Sequence, residues 1–182
     1  MFEHKVDQGI SLKLIEKKDA KRIFELTESN RSYLRKWLPW VDETRKVEDT
    51  EVFIQSCLEG FANNKSITTA VQFKGEIVGV AGYNELDWSN KVAYIGYWLA
   101  EEYQGNGIMT KVAEALTDYA IRELEINRVD IRAAFENMKS RAVPERLGFK
   151  YEGCIRQSEW LYDHYVDHAV YGMLANEWKV KG

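Results

Sequence analysis

The sequence predicts an α/β fold, in which helices flank a mixed, mostly antiparallel sheet of six to seven strands. Segments with helical periodicity alternate along the chain with segments whose apolar residues recur at every second position. The order of these segments is strand, helices, three strands, helix, strand, helix and two strands. A length of 182 residues fits a single domain, which we place at residues 1–182.

The first third of the chain is predicted to form a short strand and helices. Ile10–Leu14 alternates apolar and polar residues, and Asp19 can cap the helix that follows. The apolar face of that helix holds Ala20, Ile23, Phe24 and Thr27. A further helical turn is expected at residues 33–38, before Pro39, and a longer helix at residues 47–64. The apolar stripe of the longer helix holds Ile54, Cys57, Leu58 and Phe61.

The second part of the chain is predicted to form most of the sheet. Strands at residues 66–73, 76–88 and 92–99 are joined by short turns and should form an antiparallel meander. The last of these is almost continuously apolar and aromatic, which suits a strand covered on both faces. The remaining elements follow in this order: a helix at residues 107–124, a strand at 128–135, a short helix at 140–147, and a hairpin of strands at 150–162 and 164–174.

Composition and charge narrow the range of partners. The net charge of −4 disfavours general binding to nucleic acid, because proteins that bind it usually carry a basic field. The chain has no apolar stretch near the ~20 residues of a membrane span, and residues 1–5 lack the features of a signal peptide. We therefore expect a cytoplasmic protein without nucleic-acid or membrane partners.

The cysteines and histidines are not expected to take part in chemistry. Cys57 and Cys154 do not form a disulfide framework, and each is predicted to be a small buried apolar residue. His4, His164 and His168 lack the spacing of metal ligands. The sequence therefore predicts a reduced environment and no metal site.

The segment from Tyr94 to Thr110 suggests a binding site for an anion. A buried strand runs into a loop with Gly105 and Gly107, and this loop opens directly into the predicted long helix. Glycines let the backbone approach a ligand closely, and the first N–H groups of a helix lack partners within the helix. Because the helix dipole adds positive charge there, the segment can hold a pyrophosphate. Taken alone, the two glycines are more simply explained by a plain strand-to-helix turn, and the pattern is neither a Rossmann fingerprint nor a P-loop.

Two motifs give the chain a resemblance to the GNAT superfamily of N-acetyltransferases. The segment Gln-Gly-Asn-Gly-Ile-Met at residues 104–109 resembles the family motif Gln/Arg-x-x-Gly-x-Gly/Ala, which binds the pyrophosphate of coenzyme A. It departs at Met109, where the family usually has Gly or Ala. The Asn-Met-Lys-Ser segment at residues 137–140, followed by Leu-Gly-Phe at 147–149, resembles a second family motif. The resemblance covers nearly the whole chain and is closest to the RimJ/RimL branch, which acetylates the N-terminal amine of ribosomal proteins.

The resemblance implies that acetyl-CoA is the co-substrate and indicates which residues bind it. The backbone of the strand that ends at Leu99 should pair with the pantetheine amides, and the Leu99 N–H should polarise the thioester oxygen. Asn137 is read either as a helix cap or as a contact to the pantetheine arm. The residues expected to bind the co-substrate are Trp98, Leu99, Gln104, Gly105, Asn106, Gly107, Ile108, Met109, Thr110 and Asn137.

The same resemblance implies two catalytic residues. Glu159 occupies the place of the base proposed for RimL-like enzymes, and burial beside Trp160 would make it a better base. An exposed carboxylate on the sheet is the alternative interpretation. Many family members protonate the leaving thiolate with a tyrosine, but its position holds Pro144 here, so Ser140 is expected to take that role.

Three functions remain open at this point. The first is an acetyltransferase for the N-terminal amine of a protein, the second an acetyltransferase for a small amine such as a polyamine or an antibiotic, and the third a non-catalytic sensor of coenzyme A. An open channel favours the first and a closed, acid-lined pocket a polyamine enzyme. The Trp-Leu-Pro-Trp segment at residues 37–40 either lines the acceptor groove or packs in the core. By resemblance, the protein is expected to be a homo-oligomer.

Overall fold

A computed structural model describes residues 3–179, which form an eight-stranded sheet with helices on both faces. Met1 and Phe2, which belong to the segment examined for a signal peptide, lie outside these residues. The strands are β1 (Glu3–Lys5), β2 (Ile10–Leu14), β3 (Ile67–Phe73), β4 (Glu76–Asp87), β5 (Val92–Leu99), β6 (Arg128–Ala134), β7 (Lys150–Leu161) and β8 (His164–Leu174). The helices are α1 (Ala20–Ser29), α2 (Arg31–Leu34), α3 (Val47–Ala62), α4 (Ile108–Arg122) and α5 (Met138–Arg146).

The order of the strands creates an opening in the middle of the sheet. The order is β1-β2-β3-β4-β5-β6-β8-β7, and β5 and β6 are its parallel pair. Their pairing runs from Val92 with Arg128 to Ile95 with Ile131. Beyond that point β5 stays bonded to β4 and β6 to β8, so the two halves of the sheet separate. The mixed α/β fold is confirmed, and the sheet has one strand more than expected, because the three residues of β1 are too few to show alternation.

Two apolar cores lie on opposite faces of the sheet. On one face, Val112 and Leu116 of α4 pack with Ile95 of β5 and Ile131 of β6. On the other face, α1 and α3 pack over the β3–β4 half of the sheet. Strand β4 is buried on both faces at residues 77–83, whereas β5, which was expected to be covered on both faces, alternates between buried and half-buried residues. Residues 96–98 are half-buried because this end of β5 borders the opening, whereas Val92 and Tyr94 are half-buried where β5 pairs with β6.

Some helix details differ from those expected. Asp19 precedes α1 without capping it, because its carboxylate accepts a hydrogen bond from the Glu16 N–H at 2.9 Å and pairs with the Lys13 ammonium at 2.6 Å. Phe61, predicted in the apolar stripe of α3, is 46% exposed, because it lies in the last turn of the helix. The buried part of the stripe ends at Cys57.

The last hairpin exposes apolar side chains. Cys154 was predicted to be buried and is exposed, because it lies on β7, the strand at the edge of the sheet. Cys57 is buried, as predicted.

Across residues 3–179, no helix combines the length and the apolar composition that crossing a bilayer requires.

Candidate active site

A cavity of about 640 Å³ occupies the opening between β5 and β6. The end of β5, the start of α4, the face of α5 and the region of α2 surround it. Of the twelve predicted site residues, ten line this cavity: Trp98, Leu99, Gln104, Gly105, Gly107, Ile108, Met109, Thr110, Asn137 and Ser140. Asn106 and Glu159 are not part of the lining.

The loop before α4 presents backbone N–H groups to the cavity. Gly105 and Gly107 have φ angles of 79° and 71°, a left-handed conformation that glycine adopts without steric cost. The helix begins at Ile108, and the Lys111 N–H donates to the Gly107 carbonyl at 3.2 Å. The N–H groups of residues 108–110 therefore precede the first bond of the helix and are available to an anion.

Met109 departs from the family motif without disturbing this arrangement. Its side chain is buried in the core beneath α4, as is that of Ile108. Both side chains pack into this core, whereas Thr110 and Lys111 of the same helical turn line the cavity together with the backbone. This geometry explains why a large side chain is compatible with a position where Gly or Ala is usual.

The end of β5 turns peptide groups into the opening. The Ala100 N–H donates to the Val78 carbonyl of β4 at 3.0 Å. Because successive peptide groups of a strand point to opposite sides, the Leu99 N–H faces away from β4 and toward the opening. The Leu99 carbonyl, on the same side, accepts a hydrogen bond from Gln104 Nε2 at 3.3 Å.

Basic side chains surround the cavity, which was not predicted. Lys111, Lys139 and Arg146 belong to its lining, and Glu101 is the acidic side chain among the described lining residues. Lys139 Nζ lies 3.2 Å from Gln104 Oε1, across the mouth of the cavity. Such a set of charges favours an anionic ligand.

Lys111 also has an acidic partner outside the lining. Its Nζ lies 2.6 Å from Asp7 Oδ2, and this hydrogen bond, with those from the Gly9 and Ile10 N–H groups, lowers the pKa of the Asp7 carboxyl. The ammonium of Lys111 is therefore held at the edge of the cavity by a carboxylate that stays ionised.

Helix α5 brings Ser140 and Asn137 to the cavity. Asn137 caps the helix, and its Oδ1 accepts from the Ser140 N–H at 3.2 Å. The Tyr97 hydroxyl donates to the Ser140 carbonyl at 2.9 Å, and burial raises the pKa of Tyr97, so the phenol stays protonated. Asn137 is therefore both a helix cap and a lining residue, and Pro144 lies buried within the same helix.

An apolar wall closes the side of the cavity opposite α4 and α5. We call Tyr33, Leu34, Trp37 and Leu38 the aromatic wall. Trp40, the other tryptophan of the 37–40 segment, instead packs on Trp98, with ring centroids 6.1 Å apart. Trp37 and Leu38 therefore line the cavity, whereas Trp40 is half-buried and packs on another lining residue.

Glu159 lies on β7 and is not part of the cavity lining. Its carboxylate is 31% exposed, and Oε1 lies 3.7 Å from His168 Nε2. The predicted burial beside Trp160 is wrong, because neighbouring residues of a strand point to opposite faces. Trp160 is 52% exposed and packs against Tyr165.

Part of the lining that was missed had a signal in the sequence. Lys139, Val143 and Arg146 are spaced four and three residues apart, so they share one face of α5. Tyr97 lies two residues before Leu99 and therefore on the same face of β5.

Within residues 3–179, no group of three or more His, Cys, Asp or Glu side chains is arranged to hold a metal ion.

Comparison with protein families agrees with this architecture. The family described as the acetyltransferase (GNAT) domain matches residues 10–150, more than half of the chain. The chain belongs to the GNAT acetyltransferase family. The predicted family and enzyme class are therefore confirmed.

Individual members of the GNAT family extend the similarity over almost the whole chain. The protein named "Putative ribosomal N-acetyltransferase YdaF" of Bacillus subtilis (strain 168) is 38% identical over 180 residues, which are 98% of each chain. RimL, the ribosomal L7/L12 α-N-protein acetyltransferase solved in complex with coenzyme A, superposes with a TM-score of 0.92 at 29% identity, covering 95% of this chain and 98% of RimL. The microcin C7 self-immunity acetyltransferase MccE, solved with acetyl-CoA and AMP, has a TM-score of 0.89 at 29% identity, covering 93% and 94%.

Proposed function

We propose that this GNAT acetyltransferase transfers the acetyl group of acetyl-CoA to the N-terminal α-amine of a ribosomal protein in the cytoplasm. The similarity to RimL over nearly the full length of both chains carries the proposal, because RimL is named for this reaction. The cavity is compatible with it, since it holds an anion-binding side on α4 and α5 and an apolar side on the aromatic wall.

The anion-binding side fits the chemistry of coenzyme A. The N–H groups of residues 108–110 suit a pyrophosphate, and Lys111, Lys139 and Arg146 suit further phosphate charge. The peptide groups at the end of β5 that face the opening suit the amides of the pantetheine arm, whose thioester supplies the acetyl group. The Leu99 N–H is the donor that we assign to the thioester oxygen, where negative charge develops during transfer.

The choice of an α-amine follows from the protonation of amines. The amine must be neutral to attack, and an α-amino group has a pKa of about 7.7–8.0, whereas lysine has about 10.4. Deprotonation of lysine at pH 7 therefore costs about 3–4 kcal/mol more than that of an α-amine, at about 1.36 kcal/mol per pKa unit. A single carboxylate acting through water is a sufficient base for the α-amine.

We assign the base to Glu159 and the acid to Ser140. Because Glu159 lies outside the cavity lining, its carboxylate accepts the proton through water or through the neighbouring His168. The Ser140 side chain lines the cavity, and its position is fixed through its backbone by Asn137 and Tyr97. A thiol with a pKa of about 8.5 needs only modest assistance to leave at pH 7, about 2 kcal/mol.

A small-molecule acceptor is the second candidate, and the similarity to MccE favours it. MccE is named as a self-immunity enzyme for a microcin and was solved with AMP. A polyamine is disfavoured by the charge of the lining, because Lys111, Lys139 and Arg146 outnumber the acidic Glu101 and would repel a polycation. An anionic or nucleotide-bearing amine remains compatible with the same charges.

The deciding experiment offers several acceptors to the purified protein with acetyl-CoA and measures thiol release and product mass. The panel contains peptides with free N-terminal Ser or Ala, the same peptides N-blocked with an internal Lys, spermidine, and an aminoacyl nucleotide analogue. Acetylation of the free-terminus peptides alone supports the proposal. Acetylation of a small amine alone contradicts it, and binding of acetyl-CoA without turnover of any acceptor supports a sensor.

Two substitutions test the catalytic assignments. Glu159→Gln should lower kcat/KM by at least tenfold at pH 7, with Asp163→Asn on the exposed turn of the same hairpin as the matched control. A loss below about threefold would remove Glu159 from the mechanism. Ser140→Ala should slow turnover by at most about 30-fold, because only about 2 kcal/mol of assistance is needed, at about 1.36 kcal/mol per tenfold. A loss above a thousandfold with unchanged acetyl-CoA affinity would contradict that role.

The resemblance to RimL-like enzymes also leads us to propose a homo-oligomer, a dimer or larger. Light scattering coupled to size-exclusion chromatography measures the mass directly. A mass equal to one chain at micromolar concentration would refute this part of the proposal.

A further inference from the structure

The turn between β7 and β8 holds a residue that its conformation disfavours. Tyr162 and Asp163 form a two-residue turn, and Tyr162 has a φ angle of 58°. Two-residue hairpin turns prefer Asn, Asp or Gly at such positions, because a large side chain is strained in the left-handed region. A tyrosine in this place indicates that its side chain has a role that outweighs the strain.

The Tyr162 side chain connects the hairpin to the segment next to the aromatic wall. Its hydroxyl donates to the Leu38 carbonyl and accepts from the Val41 N–H at 3.2 Å. The Arg35 guanidinium lies over its ring, 3.9 Å from the centroid. The partners are 121 and 124 residues away in the sequence, so this contact joins two segments that are far apart along the chain.

The other side-chain hydrogen bonds of this segment are local, and Trp40 packs on Trp98 of β5. Arg31 donates to the carbonyls of Val41 and Thr44, both at 2.6 Å, and the Arg35 Nε pairs with Asp42 Oδ1 at 2.8 Å. These bonds shape the segment within itself. The Tyr162 hydroxyl adds hydrogen bonds between this segment and the turn that joins β7 to β8.

The contact reaches the cavity through a single residue. Leu38 accepts the hydrogen bond of Tyr162 with its carbonyl, while its side chain and that of Trp37 belong to the aromatic wall. A shift of the Leu38 backbone therefore moves the wall. The anion-binding side, formed by α4 and α5, has no bond to this turn among the hydrogen bonds of the described residues.

We infer that Tyr162 is a positioning residue for the acceptor, because its hydroxyl holds the Trp37–Leu38 part of the aromatic wall at a fixed distance from the sheet. The inference rests on the proposed function, in which α4 and α5 bind the co-substrate and the wall contacts the acceptor. The C-terminal hairpin thereby shapes the acceptor side without lining it.

Two substitutions of Tyr162 separate this role from a purely structural one. Tyr162→Phe keeps the ring over Arg35 and removes the hydroxyl, while Tyr162→Asn places a residue favoured by the turn and removes the whole contact. Tyr165→Phe, on the exposed face of the same hairpin, is the matched control. For Tyr162→Phe we expect a rise in the acceptor KM of about 5- to 10-fold, the range of a lost hydrogen bond.

The other readouts should stay constant. The Kd of acetyl-CoA, measured by calorimetry without acceptor, should remain within twofold in all three variants. The Tm of Tyr162→Asn should not fall below that of Tyr162→Phe, because asparagine relieves the strain of the turn. A rise in acceptor KM together with a maintained Tm supports positioning, since a merely structural residue would lower the Tm first.

Amide hydrogen exchange tests the contact without any acceptor. The Val41 N–H should exchange faster in Tyr162→Phe than in Tyr165→Phe, because it loses its partner. Unchanged exchange, an unchanged acceptor KM, or a parallel loss of acetyl-CoA affinity would each overturn the inference. If the panel identifies a small amine instead of a peptide, the proposed function fails, and the KM for that amine then decides the role of Tyr162.

Discussion

Replacement of Gly79 by alanine should displace the Leu99 N–H, which no change of the Leu99 side chain can remove. Gly79 lies opposite Leu99 in the pairing of β4 with β5. A Cβ at position 79 would lie 2.3 Å from the Trp98 carbonyl oxygen and 3.1 Å from Leu99 Cα. Because both neighbours are backbone atoms, they cannot rotate away, and β5 must move by about 1 Å to reach ordinary van der Waals contact.

The size of the effect follows from this displacement. A misplacement of about 1 Å in a reacting geometry costs on the order of 10²-fold in rate. The loss of one oxyanion donor costs a similar amount, about 10²- to 10³-fold in kcat. Overpacking should lower the free energy of unfolding by about 1–3 kcal/mol. For a chain of this size that corresponds to a fall in Tm of about 2–12 °C.

Gly82→Ala is the matched control on the same strand. Its Cβ would lie 2.0 Å from the Ile67 carbonyl oxygen, which belongs to β3 on the side away from the cavity. The assay is thiol release at saturating acetyl-CoA, with Tm measured on the same samples. Both variants should lose stability, and only Gly79→Ala should lose kcat by about 10²-fold. If Gly79→Ala shows the lowered Tm yet keeps a kcat within about threefold of Gly82→Ala, the assignment of the Leu99 N–H is refuted.

Three further predictions concern charge and thiols. Lys139→Ala should weaken acetyl-CoA binding about two- to fivefold and reduce the dependence of the Kd on salt, as titration calorimetry at two ionic strengths would show. An equal dependence of the Kd on salt in wild type and Lys139→Ala would contradict a phosphate contact. Burial opposes the charge of Lys13, but its hydrogen bonds and charge interactions with Asp19 and Glu16 together outweigh the effect of burial, so the pKa of Lys13 is raised. The stability that Lys13 contributes is therefore complete below its unfolded pKa of about 10.4, and it is lost as the pH rises through the folded pKa. The difference in unfolding free energy between wild type and Lys13→Met should shrink as the pH rises above the unfolded pKa. A constant difference up to about pH 12 would exclude this linkage. A thiol reagent should label Cys154 in the folded protein and Cys57 only after denaturation, because burial raises the pKa of Cys57 and limits the access of the reagent to it. Mass spectrometry counts the labels. Two labels on the folded protein would show that α3 opens.

The parts of the site that could be predicted are encoded in consecutive residues. The glycine loop, the start of α4 and the Asn137–Ser140 turn each depend on local conformation, so their residue types carry the signal. The aromatic wall depends on tertiary packing, because residues 33–38 are far in sequence from the other residues that line the cavity. A tryptophan such as Trp37 occurs both in cores and in cavity walls, so its residue type alone does not distinguish the two positions.

Other errors have a similar physical origin. An exposed lysine on a helix is normal, so only the spacing of Lys139 with Val143 and Arg146 relates it to the cavity face of α5. Cys154 lies in an alternating segment, and nothing in that segment shows that β7 ends the sheet. Glu159 and Trp160 are adjacent in sequence, yet adjacency in a strand places them on opposite faces.

The parting of β5 and β6 gives the co-substrate a second role. The two blocks of the sheet meet through four residue pairs, and the ladder is left unfinished at residues 96–99. A ligand with amides in that gap completes the ladder and becomes part of the folded structure. Under the proposed function, acetyl-CoA at a hundredfold excess over its Kd adds about 2.7 kcal/mol to the free energy of unfolding. The resistance of the enzyme to unfolding and proteolysis in the cell then varies with the supply of coenzyme A. Starvation for the co-substrate is therefore expected to shorten the lifetime of the protein and to lower its activity.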